Sequence, residues 1–147
     1  LAEFGSQLLL KTLPLWINQK IKSRKQEDQG ATLCQLIERK DGHIVWEDEA
    51  LNIYNKFRAF QPWPGIFSFW DNEGTNERIK LTKISVGDNI SEGKASIGEV
   101  VTQGDNTSVR TQNGTIVLEE VQPEGKDPMN IKDFINGHPN FTGKILK

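Results

Sequence analysis

Eight consecutive residues, Arg58-Ala59-Phe60-Gln61-Pro62-Trp63-Pro64-Gly65, constrain this chain more than any other stretch, because they join the end of an amphipathic helix to a turn locked by two prolines. Each proline removes a backbone donor and steers the residue before it, Gln61 or Trp63, away from helical geometry. A helix that reaches Phe60 therefore stops there, and Gly65 frees the chain to turn. Upstream, Ala50, Ile53, Tyr54, Phe57 and Phe60 recur at three- and four-residue spacing, with Glu47, Glu49, Asn52 and Lys56 on the other face. That pattern predicts a helix with one side made for burial. Trp63, held between the prolines, is expected to pack beneath the domain in a buried turn.

Composition bounds what such a helix can belong to. A chain of 147 residues with 35% hydrophobic content supports one domain with a real core. No stretch approaches the roughly 18 uninterrupted apolar residues of a membrane span, and the start lacks the charged, apolar and small-residue regions of an export signal. Cys34 is the single cysteine, which excludes an internal disulfide and suits a reducing compartment. The expected location is cytoplasmic. Opening at Leu1 inside a helical pattern, the chain reads as part of something longer.

Charge is unevenly spread. Residues 1–46 carry seven Lys/Arg against five Asp/Glu and residues 47–147 eleven against fifteen, out of 18 and 20 in all. The body is mildly acidic, so the domain-wide basic footprint of many nucleic-acid binders is missing. Lys20, Lys22, Arg24 and Lys25 form the one dense cationic cluster, a composition that also suits a solvated linker. Signals for independent chemistry are missing too. Two histidines and one cysteine do not compose a zinc spacing, and Gly98, Gly104 and Gly114 sit between strand-like segments rather than ahead of a helix, where a phosphate loop would lie.

Along the chain, residues 1–17 read as a terminal helix: Ala2 to Leu13 is helical in composition, Leu9, Leu13, Trp16 and Ile17 make a partly interrupted apolar stripe, and Pro14 is expected to end or kink it. Residues 18–32 have linker chemistry, and residues 33–147 form the remaining domain. Leu33 to Ile37 is expected to be a short extended piece, Asp41-Gly42 a turn, His43 to Trp46 an extended approach, and Glu47 or Asp48 the helix cap. After Gly65 the character is all-β. Strands are predicted over Ile66–Trp70, Arg78–Val86 with a bulge near Lys83, Gly98–Thr102, Ser108–Thr111 and Thr115–Val121, with Asn113-Gly114 as the strongest hairpin signal. A brief helix from about Asn130 to Ile135 follows, and Phe141 to Lys147 is expected to add a last strand. Short strands at this spacing imply a small barrel or sandwich.

Trp46, Ala50, Asn55, the Arg58–Gly65 run, Gln122-Pro123-Glu124-Gly125-Lys126, Met129 and Phe134 agree in order and spacing with one family. Over essentially its whole length the chain resembles the C-terminal domain of the methionyl-tRNA formyltransferases; the first run is the specific match and Gln122 to Lys126 the looser one. The resemblance implies a mainly β fold with helices, an open OB-like β-barrel preceded by the amphipathic helix and an N-terminal linker helix. Leu1 to Leu13 would be the last helix of a catalytic domain, and residues 18–32 the interdomain linker. It also implies a division of labour in translation initiation. A separate Rossmann-like N-terminal domain binds 10-formyltetrahydrofolate and transfers the formyl group, while this domain helps hold the initiator methionyl-tRNA. The family's catalytic Asn, His and Asp lie in that other domain, so this chain inherits no catalytic, cofactor-binding or metal-binding residue and is expected to be inactive alone.

In the resembled family the linker and barrel line the tRNA's path, which makes Lys20, Lys22, Arg24, Lys25, Arg39, Lys40, Arg58 and Lys126 the expected tRNA-contacting residues. Leu36 and Val45 depart from the pattern, standing where the family tends to carry Lys and Asp. Arg58 has plainer roles, bracing the helix end or facing the catalytic domain, and Lys126 reads equally as an exposed loop lysine. Of Phe69 and Trp70, adjacent on a strand, one belongs in the core and the other outside, where an OB-like surface would use it as a stacking platform. His43 and His138 read as surface or turn residues. Leu9, Leu13 and Trp16 are expected to leave an apolar strip that drives self-association when the catalytic domain is absent. Two alternatives stay open: the equivalent domain of an enzyme that formylates a nucleotide sugar or consumes formyltetrahydrofolate, and a free-standing OB-type binding module.

Overall fold

A computed structural model describes residues 1–88 and 95–147, and its contacts divide the chain into two units, Leu1–Gln35 and Leu36–Lys147. In the first unit, helix α1 spans Ala2–Ile17 and runs through Pro14 for another turn, further than expected. Pro14 has no N–H to give its own turn, yet its carbonyl accepts from the Asn18 backbone at 3.1 Å and the Asn18 side-chain amide at 2.7 Å. Lys20 N–H bonds the Leu15 carbonyl at 2.9 Å. These bonds offset the one that proline removes. No α1 residue is buried. Leu33 to Ile37, expected to be extended, joins no strand and stays exposed, because no sheet edge takes up its backbone groups.

The second unit opens with a 3-10 turn, Arg39–Gly42, closed by a 2.7 Å hydrogen bond from the Glu38 N–H to the Asp41 carboxylate. Ile44 N–H then bonds the Phe67 carbonyl, giving the extended approach predicted for this stretch. Helix α2, Ala50–Ala59, begins slightly later than the acidic cap signals suggested, with Glu49 as its N-cap. The reason is tertiary: the Ala50 N–H is taken at 3.0 Å by the carbonyl of Asn113, far along the chain. Its apolar face is the one predicted, with Ala50 and Ile53 buried and Tyr54, Phe57 and Phe60 packed at the core's margin.

Among the described residues, six antiparallel strands follow: β1 Ile66–Asn72, β2 Thr75–Gly87, β3 Val100–Gln103, β4 Asn106–Arg110, β5 Thr115–Pro123 and β6 Met129–Asn130. Their order is β1-β2-β5-β4-β3, with β6 paired to β5, forming a curled half-barrel of the expected class. The bulge at Lys83 is present and has a purpose. Ile79 and Leu81 point inward on odd positions, whereas Ile84 is buried on an even one. Side chains alternate faces with a period of two, so an extra residue is what keeps β2 apolar on the core side after the shift. The Asn113-Gly114 hairpin has a four-residue loop rather than a two-residue turn, because the Thr111 hydroxyl bonds the carbonyls of Asn113 and Gly114, each at 2.9 Å.

Trp70 sits at the centre of the core, with Phe141 and Phe134 edge-on at 5.1 and 5.9 Å. Phe134 comes from α3, Ile131–Gly137, whose N-cap Asn130 accepts from Lys132 N–H. The tail does not form the expected full strand but joins the two sheet edges. Val100 N–H bonds the Lys144 carbonyl and Leu146 N–H that of Gly98, while Phe69 and Lys147 exchange bonds at 2.8 and 2.9 Å. Both β1 and β3 thereby lose open backbone groups that would otherwise template aggregation. Trp46 Nε1 donates to Ser68 Oγ, which donates to the Lys147 carbonyl, so a buried polar chain anchors the same tail. Among the described residues, no helix is long and apolar enough to cross a membrane.

Candidate nucleic-acid interface

The turn that dominates the sequence also shapes a cleft on the surface of the second unit. Gly65 has φ +73 and gives its N–H to the Phe60 carbonyl at 2.9 Å. A Cβ there would lie 2.3 Å from Lys80 Cε, so the lysine stem crosses directly over the glycine. A Cβ on Gly42 would likewise come within 2.3 Å of the Gly65 carbonyl oxygen. The Arg39–Gly42 turn therefore seats against the Pro-Trp-Pro turn at a point only glycines permit, which brings Arg39 beside Trp63.

Strand register supplies the opposite wall. With Ile79 and Leu81 inward, Arg78 and Lys80 must point outward, and Lys80 is opposite Phe67 on β1 and Gln122 on β5. The Gln122–Lys126 segment is a tight turn. Gln122 Nε2 donates to the Lys126 carbonyl at 2.9 Å, and Gly125 has φ +72. Arg78 pairs with Glu124 at 3.2 Å and lies 5.6 Å from the centre of the Phe67 ring. Between these walls is a cleft of about 290 Å³ lined by Arg39, Trp63, Pro64, Phe67, Arg78, Lys80 and residues 122–125. The two segments that carried the family resemblance, 57 residues apart from Gly65 to Gln122, thus face one another across it.

Its electrostatics oppose those of the chain. Overall net charge is −2, but the cleft holds three cations against one acid, Glu124, which already pairs with Arg78. Elsewhere on the β2–β5 surface, cations are neutralised: Lys83 and Glu119 lie 2.9 Å apart. That hydrogen bond raises the Lys83 ammonium above its usual range, and it lowers the Glu119 carboxyl with help from Ser85.

Trp63 is 56% exposed, which corrects the expectation of a buried indole. Inward alternation begins only at Ile66, and the core's indole volume is already filled by Trp46 and Trp70, at 2% and 1%. Trp70 is the core member of the Phe69–Trp70 pair, as the alternation required; Phe69 is half-buried against His43 and Phe67 rather than free as a platform. Both histidines are more than surface residues. His43 stacks on Phe67 and bonds the Lys147 carbonyl, and His138 stacks on Phe134 at 4.4 Å.

The expected contact residues are dispersed. Lys20, Lys22, Arg24 and Lys25 lie exposed in the first unit, with Arg24 paired to Glu27 at 3.2 Å. In the second unit only Arg39 lines the cleft. Lys40 pairs with Glu38 at 2.7 Å, Arg58 is exposed in the last turn of α2, and Lys126 is exposed at its turn outside the cleft lining. Arg78 and Lys80 were legible only through strand parity, since alternation alone puts both on the outer face. Among the described residues, no group of His, Cys, Asp and Glu is arranged to hold a metal ion.

Residues 36–139 match the family model described as formyl transferase, C-terminal domain. Methionyl-tRNA formyltransferase of Caldanaerobacter subterraneus subsp. tengcongensis is 32% identical over 147 residues, which is 100% of this chain and 46% of that protein. The enzyme of the same name from Caldicellulosiruptor saccharolyticus is 34% identical over 148 residues, covering 99% and 45%, and that of Streptococcus agalactiae serotype III 36% over 138 residues, covering 93% and 42%. The chain spans about half the length of these relatives. HypX from Aquifex aeolicus, solved in complex with tetrahydrofolic acid, superposes with a TM-score of 0.61 over 92% of this chain and 23% of that one, at 16% identity. That likeness is one of fold.

Proposed function

The chain belongs to the formyl transferase C-terminal domain family, and from that premise we propose that it is the tRNA-holding portion of a methionyl-tRNA formyltransferase, engaging initiator methionyl-tRNA in translation initiation. The cleft carries this reading. In a chain of net negative charge, Arg39, Arg78 and Lys80 converge beside an exposed aromatic, between the two segments most specific to the family. Cations so placed contact phosphates, which position a nucleic acid without reading its sequence. The names of the relatives at 32–36% identity favour methionyl-tRNA over a sugar nucleotide as the substrate.

Formyl transfer from 10-formyltetrahydrofolate belongs, on this reading, to the half of the relatives that the chain does not span. No residue here is assigned to the folate or to the chemistry. Residues 1–17 are the terminal helix of that catalytic domain and residues 18–32 the linker, whose Lys20, Lys22, Arg24 and Lys25 meet the tRNA alongside Arg39. Lys40, Arg58 and Lys126 are peripheral contacts, and the setting is the cytoplasm.

Binding titrations of the 147-residue chain with initiator methionyl-tRNA across a salt series test the proposal. Affinity should fall with salt at a log–log slope of about −0.7 to −0.9 per phosphate contact. Arg39→Gln and Lys80→Gln should each flatten that slope by about one contact. An absence of binding at low salt would overturn the reading. The chain alone should transfer no formyl group, and turnover by material free of host enzyme would place the chemistry in this domain instead.

A further inference from the structure

We propose that the cleft receives a single unstacked nucleotide, its base on the indole of Trp63 and its phosphate between Arg39 and Lys80; the inference rests on the tRNA-holding reading. Three observations carry it. First, Trp63 is more than half exposed while Trp46 and Trp70 are buried, so its ring contributes little to the core. Among the described residues no other ring stacks on it, whereas Phe67 is covered by His43, Phe69 and the Arg78 guanidinium. Second, the ring is held ready. Prolines fix the backbone on either side, and the Gly65–Phe60 hydrogen bond closes the turn beneath it. A platform already ordered loses little conformational freedom when a ligand arrives.

Third, charge and size select the occupant. Glu124 occupies Arg78, but among the described residues Arg39 and Lys80 have no acidic partner, leaving two cations free for an anion at the edge of the aromatic. At about 290 Å³ the cleft lies at the small end of the roughly 300–1,000 Å³ of ordinary ligand sites, a volume suited to one nucleotide and closed to a duplex. An aromatic face beside phosphate-binding cations is the arrangement by which proteins hold single-stranded or looped-out RNA.

Stacking and ion pairing separate experimentally because only ion pairing releases counterions. Trp63→Ala and Trp63→Phe in the full chain would be titrated with initiator methionyl-tRNA, a short single-stranded RNA and a duplex of equal length. Trp63→Ala should weaken tRNA and single-strand binding by about fivefold to a hundredfold, the range for losing one base–aromatic stack. Its salt slope should match wild type, duplex binding should not change, and Trp63→Phe should recover most of the affinity. Equal affinities of wild type and Trp63→Ala for both the tRNA and the single strand would overturn the inference. The tRNA-holding reading would then still stand if wild type keeps its steep salt slope. If wild type binds no tRNA, that reading fails, and the single strand decides the cleft alone: a loss confined to Trp63→Ala supports stacking, and no wild-type binding rejects it. A urea titration of each variant shows that it folds, and the Phe variant preserves the test if Ala does not.

Discussion

Helix α2 buries Ala50 and Ile53 to 2% and 1% exposure, whereas α1, with the denser leucine content, buries none of its 16 residues and leaves Leu8, Leu9, Leu10, Leu13 and Trp16 exposed. Both are written with apolar residues at helical spacing. The difference is that α2 meets β2 and β5 within its own unit, while α1 has only the linker segment in its own. An apolar stripe states that a helix requires a cover and is silent about where the cover comes from. For α1, the proposed reading, in which residues 1–17 close a catalytic domain, assigns the cover to that domain.

Substitutions can break or sharpen this contrast. The largest effect is expected at the point where the covered unit is densest: Trp70→Ala removes the indole between Phe134 and Phe141 and should destabilise by about 3–5 kcal/mol in urea unfolding. A smaller loss would show that the aromatic cluster collapses into the space. Next, Ile53→Ala on α2 should cost about 2–5 kcal/mol, whereas Leu9→Ala on α1 should change the unfolding free energy by no more than about 0.5 kcal/mol. Equal costs would erase the distinction between the helices.

Self-association provides a sharper test of α1, because exposed apolar strips attract one another. Sedimentation should reveal concentration-dependent oligomers that vanish when residues 1–17 are deleted; a monomer at high concentration would mean the strip is too broken to dock. A last test concerns the linker. Replacing Lys20, Lys22, Arg24 and Lys25 with Gln should weaken tRNA binding and reduce the salt slope by up to about four contacts, while leaving the Trp63-dependent component intact. Unchanged slope would assign the phosphate contacts wholly to the cleft of the second unit.

The folded pattern was largely readable where it depends on neighbours in the chain. Period-two alternation marked β2, strand-forming residues bounded by turn signals marked β1 and β5, the parity change near Lys83 marked the bulge, and the proline pair marked the end of α2. These signals are local, since each arises from steric or hydrogen-bonding demands within a few residues. The site was less readable. Charge density along the chain, as at Lys20, Lys22, Arg24 and Lys25, is written in the sequence, while charge density across strands, which sets Arg78 and Lys80 in one cleft with Arg39, is not.

By itself the sequence determined most of the helix, strand and turn segments, that the β-rich part would form a small barrel or sandwich, and which family the chain resembles, because those properties follow from local geometry and from the order of specific residues. Only the tertiary structure decided that Trp63 faces solvent, that Arg78 and Lys80 line one cleft with Arg39, and that the tail ties β1 to β3. Each depends on residues far apart in the chain. Pairing of β1 with β2 and β2 with β5 carries Gln122 to the Pro-Trp-Pro turn, and the core holds Trp46 and Trp70 while Trp63 takes an outer position. Competition for interior volume is settled by the whole packed structure, and no single segment encodes its outcome.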